Sequence, residues 1–154
     1  MQQFPHQYTV TAKGSIDGDV ELGAEQLSTL SSASPAEFDG PGDRWSPETL
    51  LVAAIGDCLI LTFRAAARAA GVAWTSLDCQ VTGTLDRVER TTRFVSFEVR
   101  ARLRLPSGSD PERGKRALKK AEENCLISNS LTATVHLLPT IEISNERPGE
   151  LTLA

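Results

Sequence analysis

The stretch "SPETLLVAAIGDCLILTFRAAARAAG", from Ser46 to Gly71, constrains the fold more than any other part of the chain. Ser46 is a strong helix N-cap, and Pro47 suits the first helical position, where its missing N–H is not needed. Glu48 puts negative charge at the positive end of the helix dipole. Gly71 can leave the helix through a left-handed conformation. The pattern predicts one helix from Ser46 to about Ala70, about 36 Å long at ~1.5 Å per residue. Few polar residues interrupt it, so it is expected to be buried nearly all round. Ala53, Ala54 and Gly56 would let another element approach closely. A chain of 154 residues cannot comfortably cover such a helix alone, which predicts an obligate dimer with a large apolar interface.

The flanking segments read mainly as strands. "HQYTVTAKGSIDGDVELG" gives two, with Tyr8, Val10 and Ala12 alternating against polar neighbours and "GSIDGD" as the turn. The segment from Ala24 to Ser34 has room for a third, and "SPAEFDGPGD" is a loop. After the helix, "SLDCQVTGTLDRV" turns Leu77, Cys79, Val81, Gly83 and Leu85 one way. "ERTTR" is the expected turn, and "FVSFEVRARLRL" returns with Phe97, Val99, Ala101, Leu103 and Leu105 on one face. Together they predict a long antiparallel hairpin with one wet face. Asp110 and Pro111 then open a second helix with the inward stripe Leu118, Ala121 and Cys125, and "LISNSL" adds a short extra turn. "ATVHLLPTIEI" is a last strand, and the tail from Asn145 is expected to fray. The order of elements is that of an α+β fold, with a single domain over residues 1–154.

Composition narrows the function. Hydrophobic content of 40% and charged content of 23% are those of a soluble globular protein. A formal net charge of -4 makes nucleic acid a poor partner. "MQQFPHQYTV" lacks the pattern of a secretory leader. The apolar runs "LLVAAIG" and "CLILTF", broken by Asp57 and Arg64, read as too short to span a bilayer. A cytoplasmic location, with cysteines kept reduced unless they do redox chemistry, is the expectation. Cys58, Cys79 and Cys125 form no CxxC pair, and His6 and His136 lie far apart, so no metal site is expected. Cys79, on the apolar face of its strand, reads as an inert buried thiol. Arg100, Arg102 and Arg104 read as the solvated face of the sheet, with His136 exposed beside them.

Cys58 and Cys125 leave two readings open. Cys58 falls on the stripe Leu51, Ala54, Ile55, Cys58, Leu61, Ala65, which by periodicity is core. Cys125 ends an inward stripe of its own. Both faces turn to one interior, so a single core could bring the two thiols together. A reactive thiol needs a nearby cation or a helix N-terminus, and Cys58 is far from its own. Asp57 would oppose ionisation. Arg44, in "GDRW", is the favoured cation, with Arg64 and Arg68 as alternatives; the competing reading of Arg44 is an exposed loop charge.

The two cysteine segments resemble the family of osmotically inducible protein C and organic hydroperoxide resistance proteins. The family's first segment reads like "NPEELL…AAC"; here it is "SPETLLVAAIGDC", with Glu48 ten residues before Cys58. The second reads like "CPxSN"; here it is "CLISNS", from Cys125 to Ser130. The resemblance implies an intertwined homodimer, with antiparallel sheets wrapped around two long central helices. It implies a cysteine-based peroxidase of organic (alkyl or lipid) hydroperoxides, with Cys58 as nucleophile and Cys125 as resolving thiol. An arginine–glutamate pair would assist, with Glu48 as the glutamate and Arg44 as the candidate arginine. A dithiol would be the reductant, and neither cofactor nor metal is implied. Two positions depart from the pattern: Ile16 stands where hydroperoxide-resistance members carry a hairpin arginine, and Leu126 replaces the proline after the second cysteine. Those departures keep two other readings open, a dimer binding an apolar ligand and a cysteine redox sensor.

Overall fold

The computed structural model describes residues 3–144; the tail expected to fray from Asn145 lies outside them. Contacts within the chain cluster into two compact units, one ending at Leu51 and the other starting at Val52.

In the N-terminal unit, β1 (Thr11–Lys13), β2 (Val20–Gly23) and β3 (Leu30–Ser32) form an antiparallel sheet in sequence order. The third strand that the sequence allowed is therefore present. β1 is shorter than the alternation suggested: Tyr8 and Val10 precede it and are exposed. Trp45 bridges to Ser32, and the Ala33 N–H donates to the Trp45 carbonyl at 2.9 Å. That tie delivers the chain to the first turn of the long helix. There the Ser46 N–H donates to Thr49 Oγ1 at 2.8 Å, and the Thr49 N–H donates back to Ser46 Oγ at 3.2 Å. The exchange is a capping box with threonine in the place usually held by glutamate or glutamine.

The helix itself, α1, runs Pro47–Ala70. It ends as Gly71 predicts, with a φ of +61°. The Val72 N–H donates to Ala67 O at 2.9 Å and the Gly71 N–H to Arg68 O at 3.2 Å, the paired closure of a Schellman motif.

In the C-terminal unit, β4 (Ser76–Val88) and β5 (Thr91–Pro106) form the long antiparallel hairpin. Val88 pairs with Thr91, so the turn is only Glu89 and Arg90, and β5 starts earlier than the sequence suggested. Glu89 makes the tight turn possible by adopting a φ of +57°. β6 (Thr134–Ser144) lies beside β5 and runs parallel to it. The expectation of antiparallel sheets thus holds from β1 to β5 and fails at β6. The reason is the connection: α2 (Pro111–Glu123) and α3 (Leu126–Asn129) carry the chain back along the sheet before β6 begins. Such a return makes the next strand parallel. α2 sits close on β5, because a Cβ at Gly114 would lie 2.8 Å from Leu105 Cδ1.

The core of this unit is the inner face of β5 (Phe97, Val99, Ala101, Leu103, Leu105) packed with Leu118 and Ala121 of α2 and Ile55, Leu59, Phe63 and Ala67 of α1. Phe63 meets Trp74 edge to face, with ring centroids 5.3 Å apart. The outer face of the sheet carries the arginines as expected: Arg100 pairs with Glu98, Arg102 with Glu142, and Arg104 with Glu142 and Asp78.

Two expectations for α1 are corrected. It is not buried all round: only 28% of its most apolar window is buried, and Leu61 is half-exposed. Nor is it too short for a bilayer. It is long and apolar enough to cross one, with a mean hydropathy of 1.9 over that window, although one of its faces forms the core just described.

Candidate functional site

Gly56 sets the depth of α1. A Cβ there would lie 3.1 Å from Val81 Cγ2 and 3.9 Å from Cys79 Cβ, so the helix backbone rests directly on β4. The buried line is Ile55, Gly56, Leu59, Phe63 and Ala67. It is rotated from the stripe read in the sequence, which placed Leu61 and Ala65 inside. Cys58 therefore lies at the edge of the buried line, half-buried.

Cys125 occupies the joint between α2 and α3 and is 0% exposed. The joint is built from side-chain hydrogen bonds to carbonyls of the last turn of α2. Asn124 Nδ2 donates to Lys120 O at 2.7 Å, and Asn129 Nδ2 donates to Glu123 O at 3.0 Å. The Asn129 N–H donates to Cys125 O at 3.0 Å, which closes α3 over the cysteine. The Ser128 hydroxyl donates to Cys125 Sγ at 3.2 Å.

The two thiols meet as the sequence allowed, and they are not equivalent. Burial pushes Cys58 up, but hydrogen bonds outweigh it. They come from the Ile127 N–H, the Cys125 thiol, the Thr62 hydroxyl and the Leu126 N–H, and the net shift is downward. Cys125 is pushed up, first by burial and then by donating to Cys58, against the pull of Ser128. Of the pair, Cys58 is the more readily ionised thiol, and Cys125 donates to it. Thr62, one turn along α1, places its Oγ1 3.9 Å from Cys58 Sγ. Within the C-terminal unit, none of the groups that lower Cys58 is a cation.

Thr62, Ile127 and Ser128 were not singled out from the sequence. Thr62 follows Cys58 at i+4 and Ser128 follows Cys125 at i+3, spacings that place neighbours on one helical face. Leu126 matters for the reason it departs from the family pattern: unlike proline, it has an N–H to give.

Arg44 and Glu48 belong to the N-terminal unit. Arg44 Nε donates to Asp19 Oδ2 at 2.9 Å, and Nη1 lies 2.9 Å from Asp43 Oδ2. Ser31 and Arg44 hold the Asp19 carboxyl below its usual range. Glu48 Oε2 is buried and has no hydrogen-bond partner among the described residues. Arg64 and Arg68 are exposed. Cys79 is pushed up to about 11, by burial and then by Asp78 beside it, which suits an inert thiol.

Fold and site together define an α+β protein with a paired-thiol centre, one sulfur half-open on a long helix and the other sealed at a helix joint. The chain belongs to the OsmC-like protein family, whose model matches residues 40–138. It is similar to the uncharacterized protein YmaD of Bacillus subtilis (strain 168), at 28% identity over 119 residues, covering 75% of this chain and 78% of that one. Among solved structures, an OsmC-like protein of unknown function from Vibrio cholerae superposes with a TM-score of 0.81 at 16% identity, over 88% of this chain and 100% of the other. An organic hydroperoxide resistance protein from Legionella pneumophila gives 0.70 at 23% identity, over 90% and 99%. One from Elizabethkingia anophelis, with thiocyanate bound, gives 0.71 at 19% identity, over 92% and 100%. The fold is that of the OsmC family, which includes proteins named for organic hydroperoxide resistance.

The shifts order the three thiols by reactivity, because the thiolate is the reacting form. Alkylation-rate profiles against pH, resolved by peptide, should show Cys58 ionising more readily than an ordinary free thiol. Cys125 should titrate above Cys58, and Cys79 should stay silent until near pH 11. Cys58 and Cys79 titrating together would contradict the site.

Proposed function

We propose that this protein is a thiol-dependent peroxidase of organic hydroperoxides, with Cys58 as the peroxidatic nucleophile and Cys125 as the resolving thiol. The observation that carries the reading is the meeting of a half-buried Cys58, drawn down by surrounding hydrogen bonds, with a buried Cys125 that donates to it. The Cys58 thiolate attacks the distal peroxide oxygen, the O–O bond breaks, and the alkoxide takes a proton and leaves as an alcohol. Cys58 becomes a sulfenic acid. The Cys125 sulfur then attacks Cys58 Sγ, the S–O bond breaks, water leaves and a disulfide forms. A dithiol reopens it by exchange and departs as its own disulfide. The chemistry calls on no metal or cofactor.

Two exposed leucines support the substrate class. Leu61, 50% exposed on α1, and Leu126, 73% exposed on α3, lie three residues from Cys58 and next to Cys125. An apolar rim beside the thiols favours an alkyl or lipid hydroperoxide over hydrogen peroxide. In this reading Arg44 and Glu48 assist. The unpartnered Glu48 Oε2 is an acceptor suited to a guanidinium, and Arg44 must exchange Asp19 or Asp43 to reach it. The remaining apolar surface of α1 supports an intertwined homodimer. The working location is the cytoplasm, where dithiol reductants keep such a centre cycling.

Stopped-flow thiol consumption tests the activity. Cumene hydroperoxide should react faster than hydrogen peroxide. Cys58→Ser should abolish the reaction, and Cys79→Ser should match the parent. Cys125→Ser should consume one equivalent and leave a trappable sulfenic acid. Arg44→Ala should slow the reaction by roughly 10²–10³, the scale of losing one transition-state donor, with Arg44→Lys intermediate. A Cys58 that titrates like a free thiol and reacts no faster than one would replace the peroxidase with a module that binds an apolar ligand. For assembly, light scattering at micromolar concentration should report a dimer, and a stable monomer would contradict the homodimer.

A further inference from the structure

Resting on the Cys58–Cys125 redox pair, we propose that Ser128 is a positioning residue for Cys125. Its hydroxyl supports the Cys125 sulfur whenever that sulfur carries negative charge, so the disulfide is reduced by attack on Cys58, with Cys125 leaving.

Ser128 lies one turn after Cys125 on α3 and gives its hydroxyl proton to Cys125 Sγ at 3.2 Å. It cannot drift far. Asn129, the next residue, anchors α3 to α2 through the Glu123 carbonyl and closes on the Cys125 carbonyl. Among the described residues, Ser128 is the only side chain besides Cys58 that acts on the Cys125 thiol, and Cys58 is the only titratable one. Burial at 0% exposure makes charge on Cys125 costly. A hydroxyl fixed against the sulfur offsets that cost at the two moments when it arises. The first is the attack of Cys125 on the Cys58 sulfenic acid. The second is the opening of the disulfide.

Access sets the direction of the second step. Cys58 is half-buried and Cys125 is sealed, so an incoming thiolate can reach only the Cys58 sulfur. It bonds to Cys58 Sγ, the S–S bond breaks, and the electron pair goes to Cys125 Sγ, where Ser128 receives it. The second thiol of the reductant then attacks the mixed disulfide and frees the Cys58 thiolate. A better stabilised leaving thiolate leaves faster.

The test has two arms. In the first, the oxidised full-length protein is treated with the monothiol 2-mercaptoethanol, quenched with acid and mapped by mass spectrometry. The adduct should lie on Cys58; an adduct on Cys125 overturns the direction. In the second, Ser128→Ala and Ser128→Thr are compared with the parent. With only Cys125 left (Cys58→Ser, Cys79→Ser), its thiolate absorbance should titrate about one unit higher in Ser128→Ala, the scale of one hydrogen bond to a charged group. Ser128→Thr should restore it. In the chain with all cysteines, Ser128→Ala should slow disulfide opening by dithiothreitol about three- to tenfold, and Ser128→Thr should restore it. Unchanged titration and opening, in a parent that does form the disulfide, would overturn the role of Ser128 and leave the peroxidase reading intact. A parent that forms no disulfide with cumene hydroperoxide would overturn both. The adduct arm uses the unmodified chain, so it decides even if Ser128→Ala fails to fold.

Discussion

Gly56 brings the backbone of α1 directly onto β4, and much of the C-terminal unit depends on that contact. With no side chain of its own at that point, the helix rests on the Val81 side chain of β4, and Ile55, Leu59, Phe63 and Ala67 are buried. The same seat leaves Cys58 at the edge of the buried line rather than inside it. A bulkier residue at position 56 would have to displace Val81, and interiors packed at this density resist such shifts. α2 is seated by the same device, at Gly114 against Leu105. Two close approaches, one on each helix, thus hold the cysteine-bearing elements on a common sheet.

The electrostatics of the thiol pair follow from this packing. A half-buried thiol is ordinarily harder to ionise. Here Cys58 faces donors gathered at the start of α3, the Ile127 and Leu126 N–H groups and the Cys125 thiol, with Thr62 on its own helix. These hydrogen bonds favour the ionised form of Cys58 through geometry, and partly buried interactions of this kind are screened less by salt than exposed charge pairs. The leucine that departs from the family's proline contributes one of those donors.

Much of this was legible in the sequence. The ends of α1 could be read because the signals are local: a serine cap and a glycine stop lie within a few residues of the boundaries they set. The hairpin faces were legible because alternation in "SLDCQVTGTLDRV" and "FVSFEVRARLRL" fixes which side is apolar. The stripe Leu118, Ala121, Cys125 is buried as its spacing implies. Other features depend on distant partners. Arg44 pairs with Asp19, across two strands and the loops after them, and nothing local announces it. The phase of the α1 stripe is set by which face meets β4, and in a helix apolar on most sides the sequence offers several choices. The parallel course of β6 follows from where α2 and α3 deliver the chain, not from the pattern of β6 itself.

The central claim is that Cys58 and Cys125 form one redox centre, with Cys79 outside it. The most direct measurement is disulfide mapping by mass spectrometry after one equivalent of cumene hydroperoxide is added to the fully reduced protein under non-denaturing conditions. The account predicts one linkage, Cys58 to Cys125, with Cys79 recovered as a free thiol. A linkage through Cys79, or a Cys58 carried on to sulfinic acid beside a reduced Cys125, would contradict it.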